Sequence, residues 1–405
     1  MIHIENKQDC CGCWACHNAC PKHCIEMKED EEGFCYPQID THSCIGCGVC
    51  DKVCPIVNAT GEDTPHHQEG FLFQNSDSLI RRESTSGGAF TAIAAEIIHR
   101  GGIVFGAGYR PGTFIVEHQP AETIDDLRIF RNSKYVQSRV GTAYSDVLAQ
   151  LRTGRPVCFS GTPCQVEGLR HFLRGREYMN LICVDLVCHG IPSPHILSLY
   201  IERAKQQIGG RFTNILFRDK HYGYHYSSMS IYNSEEKKNY HKGVDSDAYL
   251  RAFFSNLSDR PSCYSCRFKK RYRHSDITLW DCFSPEQFTD KLDGNGTTRI
   301  LTHTAKGTEF INEVVAKAGT VVNVEPDKLT HGVREMFHSV PMNLQRSDFF
   351  RDSNAMAPAV FFDKWFPTTL SVRLNTAVRI TCHRLGIYNV AKRIFMLFYT
   401  RRDER

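Results

Sequence analysis

The sequence lacks any long apolar run. No stretch approaches the roughly 18 uninterrupted apolar residues that a bilayer-spanning helix requires. The opening segment, residues 1–6, has neither the basic region nor the apolar core of a secretory signal. We therefore expect a cytoplasmic protein.

Signatures of nucleotide and nucleic-acid binding are also missing. There is no Walker motif, and Gly106-Ala107-Gly108 is not a Rossmann fingerprint, because no third glycine and helix follow in register. The formal net charge is only +4 over 405 residues, which excludes a global field for nucleic acid. With 41% apolar and 23% charged residues, the chain is able to bury sizeable cores in two or three domains.

Cysteine, in contrast, is abundant. Eleven of the nineteen cysteines precede residue 55. Because the cytosol keeps thiols reduced, they are better interpreted as metal ligands than as disulfides. Two runs obey C-x2-C-x2-C-x3-C followed by proline, the signature of a bacterial two-cluster ferredoxin, in which the fourth cysteine of each run ligates the other cluster.

These runs predict a ferredoxin domain with two [4Fe–4S] clusters over residues 1–60. The ligands of cluster one are Cys10, Cys13, Cys16 and Cys54, and those of cluster two are Cys44, Cys47, Cys50 and Cys20. Structural zinc is the alternative, which two complete runs disfavour. Cys11, Cys24 and Cys35 lie outside the pattern and are interpreted as small buried side chains near the clusters. A short hairpin is predicted between the two halves, with Gly33 at its turn.

After a polar linker over residues 57–70, residues 71–330 alternate short apolar runs with helical patterns. This alternation predicts an α/β body around a central sheet. The predicted strands are 71–73, 103–109, 113–118, 157–160 and 181–188, and the predicted helices are 89–99, 124–131, 143–152, 165–173 and 195–208. His66 and His67 in the linker are interpreted as solvated rather than as a metal site.

Three groups of residues in the body suggest chemistry. Ser84-Thr85-Ser86-Gly87-Gly88 directly precedes a predicted helix, so it is either a phosphate site or an ordinary helix cap. Cys164 lies at the start of another predicted helix, where the dipole favours a thiolate that would ligate a cluster or act as a nucleophile. Cys188 and the pair Cys263-x2-Cys266 bring the count of such cysteines to four, enough for a third cluster. The remaining cysteines, Cys158, Cys183, Cys282 and Cys382, lie in apolar stretches and are interpreted as core residues.

Together these motifs resemble the family of coenzyme F420 hydrogenase/dehydrogenase beta subunits, in the form with an N-terminal two-cluster ferredoxin domain, over about residues 1–285. The resemblance is carried by the following motifs: Ser84-Thr85-Ser86-Gly87-Gly88, Ser133-Lys134-Tyr135-Val136-Gln137-Ser138, Gly161-Thr162-Pro163-Cys164-Gln165, Cys188-His189-Gly190, and Cys263-x2-Cys266 leading to Asp276-Ile277-Thr278.

The resemblance implies FAD in the body beside a third [4Fe–4S] cluster. It carries cluster ligation onto Cys164, Cys188, Cys263 and Cys266. It carries flavin contacts onto Ser86, Gly87, Gly88, Lys134, Tyr135, Gln137, Ser138 and Thr162. Without it, Lys134 and Tyr135 would be interpreted as an exposed loop. The expected fold class is α+β: a bacterial two-cluster ferredoxin fold, then an α/β flavin-binding body, then a C-terminal helical tail.

One departure concerns the substrate side. Where many relatives have Gly-Asp-Phe-Trp after the Asp-Ile-Thr strand, this chain has Trp280-Asp281-Cys282-Phe283, which leaves the use of the deazaflavin open. The chain also resembles proteins encoded in bacterial surface-polysaccharide clusters, which suggests a setting rather than a reaction.

Residues 331–405 are expected to form a basic, mainly helical extension. Its last part carries basic residues among apolar ones, including Arg373, Arg379, Arg384, Lys392, Arg393, Arg401 and Arg402. Peripheral membrane contact and helix packing on the chain's own domain or on a partner both remain open interpretations.

The resulting hypothesis is an oxidoreductase of unknown catalytic residues. Electrons from a donor or acceptor protein enter the ferredoxin clusters, cross the body cluster and reach FAD, which reduces or oxidises a small molecule. Lys134 is hypothesised to stabilise the reduced, anionic flavin. Two alternatives stay open: a coenzyme F420-dependent beta subunit, and a non-catalytic electron-relay subunit.

Overall fold

The computed structural model describes residues 1–59, 63–234 and 239–388. The basic residues Lys392, Arg393, Arg401 and Arg402 of the predicted tail lie outside this range. Within the described ranges, no helix combines the length and the apolar character needed to cross a bilayer.

The N-terminal module consists of two short helices and a hairpin: α1 (Ala15–Ala19), β1 (Ile25–Glu29), β2 (Cys35–Ile39) and α2 (Val49–Lys52). The two strands are antiparallel, with Ile25 opposite Ile39. Gly33 forms the turn with φ +81°, a left-handed conformation that glycine adopts without strain. The predicted hairpin is therefore present, and it separates the two cysteine runs.

The described part of the body contains eleven strands in two sheets. In chain order they are β3 (Glu69–Asn75), β4 (Ile103–Tyr109), β5 (Val116–Ala121), β6 (Val157–Ser160), β7 (Leu181–Leu186), β8 (Phe212–Asp219), β9 (Ser228–Asn233), β10 (Tyr240–Gly243), β11 (Ile277–Cys282), β12 (Thr297–Thr302) and β13 (Gly319–Val324). Eight of them form one mixed sheet in the order β13-β3-β12-β11-β7-β6-β4-β5, and β10-β9-β8 form a separate antiparallel sheet.

Helices cover these sheets and continue to the end of the described chain. They are α3 (Ser78–Glu83), α4 (Ala89–His99), α5 (Ala143–Arg152), α6 (Pro163–Phe172), α7 (Pro194–Ile208), α8 (Ala248–Phe254), α9 (Ala305–Ala318), α10 (Pro326–Thr330), α11 (Arg334–Phe337), α12 (Arg346–Ala355), α13 (Pro358–Trp365) and α14 (Leu370–Arg384).

Four neighbouring strands of the large sheet, β4, β6, β7 and β11, run parallel. Both faces of these strands are covered, as is usual for parallel strands: Phe159 of β6 lies in one core and Cys158 in another. Ligands of such sheets generally bind beyond the carboxyl ends of the strands. Cys164, in the first turn of the helix after β6, and Cys188, in the loop after β7, lie at this edge.

A second core lies between the small sheet and helices α7, α8, α12 and α13. It contains Phe217 of β8, Tyr249 of α8, Phe349 of α12 and Phe361 of α13, all buried. The reason that residues 346–366 pack here is their aromatic content, which is buried more favourably against α7 and α8 than in water. α14, in contrast, has no buried residue.

Local chemistry explains where predicted and observed elements differ. The predicted helix at 124–131 is a 3-10 helix, Asp126–Phe130. The predicted strand at 113–118 starts later, at Val116, because Thr113 closes a turn onto the carbonyl of Arg110. The helix predicted from Gln165 begins at Pro163, whose fixed φ suits the first helical position. Cys164 therefore lies inside the first turn of α6.

Candidate metal centres

The first group of cysteines lies where the module meets the body. The thiol of Cys16 has its pKa raised by burial and by the neighbouring thiols of Cys10 and Cys54. Cys13 is buried against α6, where a Cβ on Gly168 would lie 3.0 Å from the Cys13 sulfur. The structure thus brings the predicted ligands of cluster one together, and Gly168 allows α6 to approach them closely.

The second group lines a cavity at the outer end of the module. The cavity encloses about 370 Å³ of space, including its solvent-open part, and its lining contains the four predicted ligands of cluster two: Cys20, Cys44, Cys47 and Cys50. Cys24 also lines it, and its sulfur lies 3.3 Å from that of Cys20. Gly46 and Gly48 shape the loop with φ of +68° and +66°.

The third group lines a larger cavity at the carboxyl edge of the sheet. This cavity encloses about 520 Å³, including its solvent-open part, and its lining contains Cys164, Cys188, Cys263, Cys266 and a fifth thiol, Cys11. The first two follow β6 and β7, and the second pair lies in and just after the 3-10 helix Pro261–Ser265. Elements distant in sequence therefore present one all-sulfur donor set, which is the chemistry of an iron–sulfur cluster.

The electrostatics of this cavity favour an anionic metal centre. Burial raises the pKa of the Cys188 thiol to about 12, and the neighbouring thiols of Cys164 and Cys266 add to the rise. Lys269 and Arg273 also line the cavity. Lys269 donates hydrogen bonds to the carbonyl oxygens of Cys188 and His189. The thiols resist deprotonation in the absence of metal, and the two cations offset the charge that bound thiolates would carry.

Arg260 joins the first and third groups. Its side chain is 1% exposed. Nε donates to the carbonyl oxygen of Cys10 at 2.7 Å, and Nη2 donates to that of Cys35 at 3.0 Å. Nη1 donates to Gln137 Oε1 at 2.8 Å, and the guanidinium lies 4.3 Å from the centre of the Tyr36 ring. The module is therefore fixed to the body through a buried cation.

Two consecutive cysteines connect the groups at this junction. Cys10 neighbours Cys16 of the first group. The thiol of Cys11 is in hydrogen-bonding contact with Cys13 of the first group and with Cys164 of the third. Cys11 thus connects the first and third groups of cysteines.

The predicted flavin contacts at Ser84–Gly88 lie at the start of α4. Ser86 Oγ and the amide of Gly87 both bond to Thr298 Oγ1, each at 2.9 Å. Gly88, with φ +81°, precedes the helix, and no side chain of the described residues caps its first amides. Uncapped amides at a helix N-terminus suit a phosphate group, so this end fits the phosphate-bearing part of FAD.

The segment 133–138 runs from α4 towards the third group. Ser133 bonds to Thr85 beside the start of α4. Lys134 Nζ donates to the carbonyl oxygens of Ile129 at 2.6 Å and Arg131 at 2.8 Å. Burial lowers the pKa of Lys134 to about 7.

The other predicted flavin contacts lie on the side of the cysteines. Gln137 Nε2 donates to the carbonyl oxygen of Cys11 at 3.3 Å. Ser138 Oγ accepts from Gln165 Nε2 at 3.0 Å, and Thr162 Oγ1 lies 3.2 Å from the sulfur of Cys164. The eight predicted contacts therefore occupy a band from α4 to α6 rather than a single cluster.

Sequence reasoning missed a polar group beside Tyr135. Arg218 of β8 donates to Tyr135 Oη at 2.9 Å and pairs with Asp281 at 3.0 Å. Lys220 Nζ donates to the carbonyl oxygen of Ser86 at 2.7 Å, and burial lowers its pKa to about 8. The only sequence signal was the departure at residues 280–283, which includes Asp281.

The cysteines interpreted as core residues mostly lie in apolar surroundings. Cys158, Cys183 and Cys282 are fully buried, and Cys35 is 8% exposed. Cys382 is half-buried on α14. In the linker, His66 packs against the rings of Tyr272 and His303.

Known proteins match the body and the N-terminal module of the chain separately. Residues 154–328 match the family model that describes the C terminus of the coenzyme F420 hydrogenase/dehydrogenase beta chain. The F component of F(420)H(2) dehydrogenase from Methanosarcina mazei is 22% identical over 187 residues, which is 44% of this chain and 53% of that protein. The chain therefore spans about half the length of this relative.

Two further similarities concern the module and the whole chain. Ferredoxin 7Fe of Hydrogenibacillus schlegelii is 34% identical over 64 residues, 16% of this chain and 76% of that protein. A solved structure of the F420-reducing [NiFe] hydrogenase complex from Methanosarcina barkeri contains a chain with a TM-score of 0.46 and 17% identity, which covers 72% of this chain and 90% of its own.

Proposed function

Because this chain belongs to the family of coenzyme F420 hydrogenase/dehydrogenase beta subunits and carries a ferredoxin domain, we propose that it is an iron–sulfur flavoprotein oxidoreductase. Electrons pass between two [4Fe–4S] clusters in residues 1–60, a third cluster in the body, and FAD. Clusters supply one-electron transfer, and a flavin exchanges one or two electrons with its partners. A redox partner protein delivers or removes the electrons.

The observation that carries this proposal is the junction at Cys10 and Cys11. Cys10 belongs to the first group of cysteines, and the thiol of Cys11 contacts Cys164 of the third. Arg260 holds the backbone of Cys10 from inside the body. A protein that only stored clusters would not need its ferredoxin module fixed so closely to a second thiol-lined cavity.

The residues of the body each have a role in this proposal. Cys164, Cys188, Cys263 and Cys266 would hold the third cluster, and Lys269 and Arg273 would offset its negative charge. The start of α4 would hold a phosphate group of FAD. Lys134, Tyr135 and Arg218 would orient the ring system, and the weakly basic Lys134 could hold or release a proton.

The second candidate function is that of a coenzyme F420-dependent beta subunit. The family match over residues 154–328 favours this function at least as strongly as that of a flavoprotein oxidoreductase. Asp281, which pairs with Arg218 at 3.0 Å, lies in the stretch where the sequence departs from many relatives, and this pair would contact a small-molecule substrate. The electron-relay alternative needs no flavin at all.

A further proposal concerns the location of the protein in the cell. α14 presents Leu370, Leu374 and Val378 to solvent at four-residue spacing, beside Arg373 and other basic residues. Such an amphipathic helix suits the surface of an anionic membrane. The protein would then contact the membrane peripherally from the cytoplasm.

Electron transfer through the junction tests the proposal. The anaerobic full chain is reduced with substoichiometric dithionite and followed by EPR and visible spectroscopy. We expect electrons to distribute over the module clusters and the third cluster, and then to bleach bound flavin. Addition of oxidised coenzyme F420 separates the first two candidates, because its loss of absorbance supports the role of a beta subunit. Reduced clusters without any bleaching of bound flavin would contradict the flavoprotein proposal.

A further inference from the structure

We propose that Asp219, His221 and His241 form a site for a divalent cation of the Zn²⁺ class, separate from the three groups of cysteines. Each residue offers one ligand atom, and these atoms all lie within 4.8 Å of one another. Asp219 ends β8, His221 lies in the following loop, and His241 belongs to β10. The site therefore joins a loop to the outer face of the small sheet.

Two neighbouring hydroxyl groups orient the ligands. Ser230 Oγ lies 2.7 Å from His241 Nδ1, and Tyr232 Oη donates to Asp219 Oδ2 at 2.8 Å. Natural metal sites commonly hold a carboxylate ligand by such a hydrogen bond. His241 Nδ1 also lies 3.9 Å from Asp219 Oδ2, so the imidazole and the carboxylate face each other across the site.

The donor types of the group suit a divalent ion. The rings of His221 and His241 stack in parallel planes with centres 3.7 Å apart. The donor set of two histidines and one carboxylate suits Zn²⁺ and Fe²⁺ and leaves further positions for water.

Metal binding would need a movement of one side chain. Ligands at about 2.0–2.2 Å from Zn²⁺ lie roughly 3.4 Å from one another in tetrahedral geometry. His221 is exposed and lies in a loop, and its ring would turn out of the stack on His241 to bring both imidazoles to one ion. Binding would fasten the loop at residues 220–227. Lys220, next to His221, donates to the carbonyl oxygen of Ser86, so the ion would also steady the start of α4.

The test uses the anaerobic holoprotein and Zn²⁺ as the probe. The full chain is incubated with one equivalent of Zn²⁺ and desalted, and zinc and iron are measured on the same sample. We expect about one retained zinc per chain with iron unchanged. His241→Ala and Asp219→Asn are expected to weaken retention at least about tenfold. His225→Ala, which removes a histidine from the same loop, serves as the matched control and should retain zinc.

Zn K-edge absorption on the wild-type protein keeps the test decisive if a variant fails to fold. The proposed ligands predict only nitrogen and oxygen neighbours at about 2.0–2.2 Å. A shell of sulfur at about 2.3 Å would show that zinc has entered a cysteine site and would overturn the proposal. Failure to retain zinc, or undiminished retention by His241→Ala, would overturn it as well.

Discussion

The guanidinium of Arg260 donates from Nε to the backbone carbonyl of Cys10 across 2.7 Å, from a position that is almost fully buried. Gly12 makes this approach possible, since a Cβ there would lie 2.8 Å from Arg260 Nη1. Arg260 also lines the cavity of the third group of cysteines. One buried positive charge therefore lies beside two proposed cluster sites.

We predict that Arg260→Met lowers the reduction potential of the adjacent clusters. A buried cation favours the more negative, reduced state of a cluster, and its removal withdraws that stabilisation. At a fixed potential near the wild-type midpoint, the ratio of reduced to oxidised cluster should fall about tenfold, equivalent to about 59 mV for one electron. EPR-monitored redox titration measures the change.

Two variants control for structural damage. Arg260→Lys retains the charge and should recover most of the potential. Arg351→Met removes an exposed arginine of α12, which pairs with Asp348 at 2.7 Å, and should leave the potential unchanged. An Arg260→Met protein with full iron content and wild-type potentials would show that Arg260 does not raise the reduction potential of the clusters.

Cys11 and Cys164 provide a matched pair for the ligands of the third site. Both line the cavity, but only Cys164 is a predicted ligand. Cys164→Ala should therefore lose about four of about twelve irons, because an intact cubane needs its four thiolates. Cys11→Ala should retain them all. Iron and sulfide analysis distinguishes the two variants. If only Cys11→Ala loses iron, Cys11 and not Cys164 is the ligand of the third cluster.

The lowered pKa of Lys134 predicts that the stability of the folded protein depends on pH. Burial lowers its pKa to about 7 in the folded protein, whereas an unfolded lysine titrates near about 10.4. Below about pH 7 both states bind the proton, and the folded state bears the full cost of the buried charge. Between about pH 7 and 10 only the unfolded state binds it, so the stability of the wild type rises with pH.

The variant Lys134→Met lacks this dependence. Its gain in apparent melting temperature over the wild type should be largest at pH 6–7 and should shrink towards pH 10, as measured by anaerobic scanning calorimetry. The exposed Lys328→Met serves as the control and should show no such trend. A gain that stays constant across this range would contradict the lowered pKa.

Leu374 on α14 tests the proposed membrane contact. It is 67% exposed, and a charge at this position opposes insertion into lipid. Leu374→Glu should reduce cosedimentation with anionic vesicles several-fold. Leu344→Glu, at a position 98% exposed outside α14, should not. Equal binding of both variants and the wild type, or no binding by any of them, would argue against a membrane role for α14.

Much of the fold follows from local sequence patterns. The bounds of α4, β4, α5 and β6 agree with the prediction, because apolar periodicity and nearby glycines mark them clearly. The small sheet was not predicted: β9 pairs with β8 and β10, and the sheet shares its core with α7 and α12. Such contacts leave no local pattern in the sequence.

The sites, like the fold, are predicted in part by the spacing of residues in the sequence and depend in part on tertiary structure. The spacing of Cys10, Cys13 and Cys16 predicts a cluster loop, and the structure gathers these cysteines with Cys54. That Cys11 also reaches Cys164 of the body depends on how the module docks. The pairing of Arg218 with Asp281 likewise joins two strands in separate sheets, and no motif indicates it.

Iron, acid-labile sulfide and flavin measured on one anaerobic preparation of the full chain test the central claim most directly. The account predicts about twelve irons, about twelve sulfides and one flavin per chain, for three cubanes and one FAD. About eight irons without flavin would contradict it: only the ferredoxin clusters would then be present, and the electron-relay function would replace the flavoprotein one.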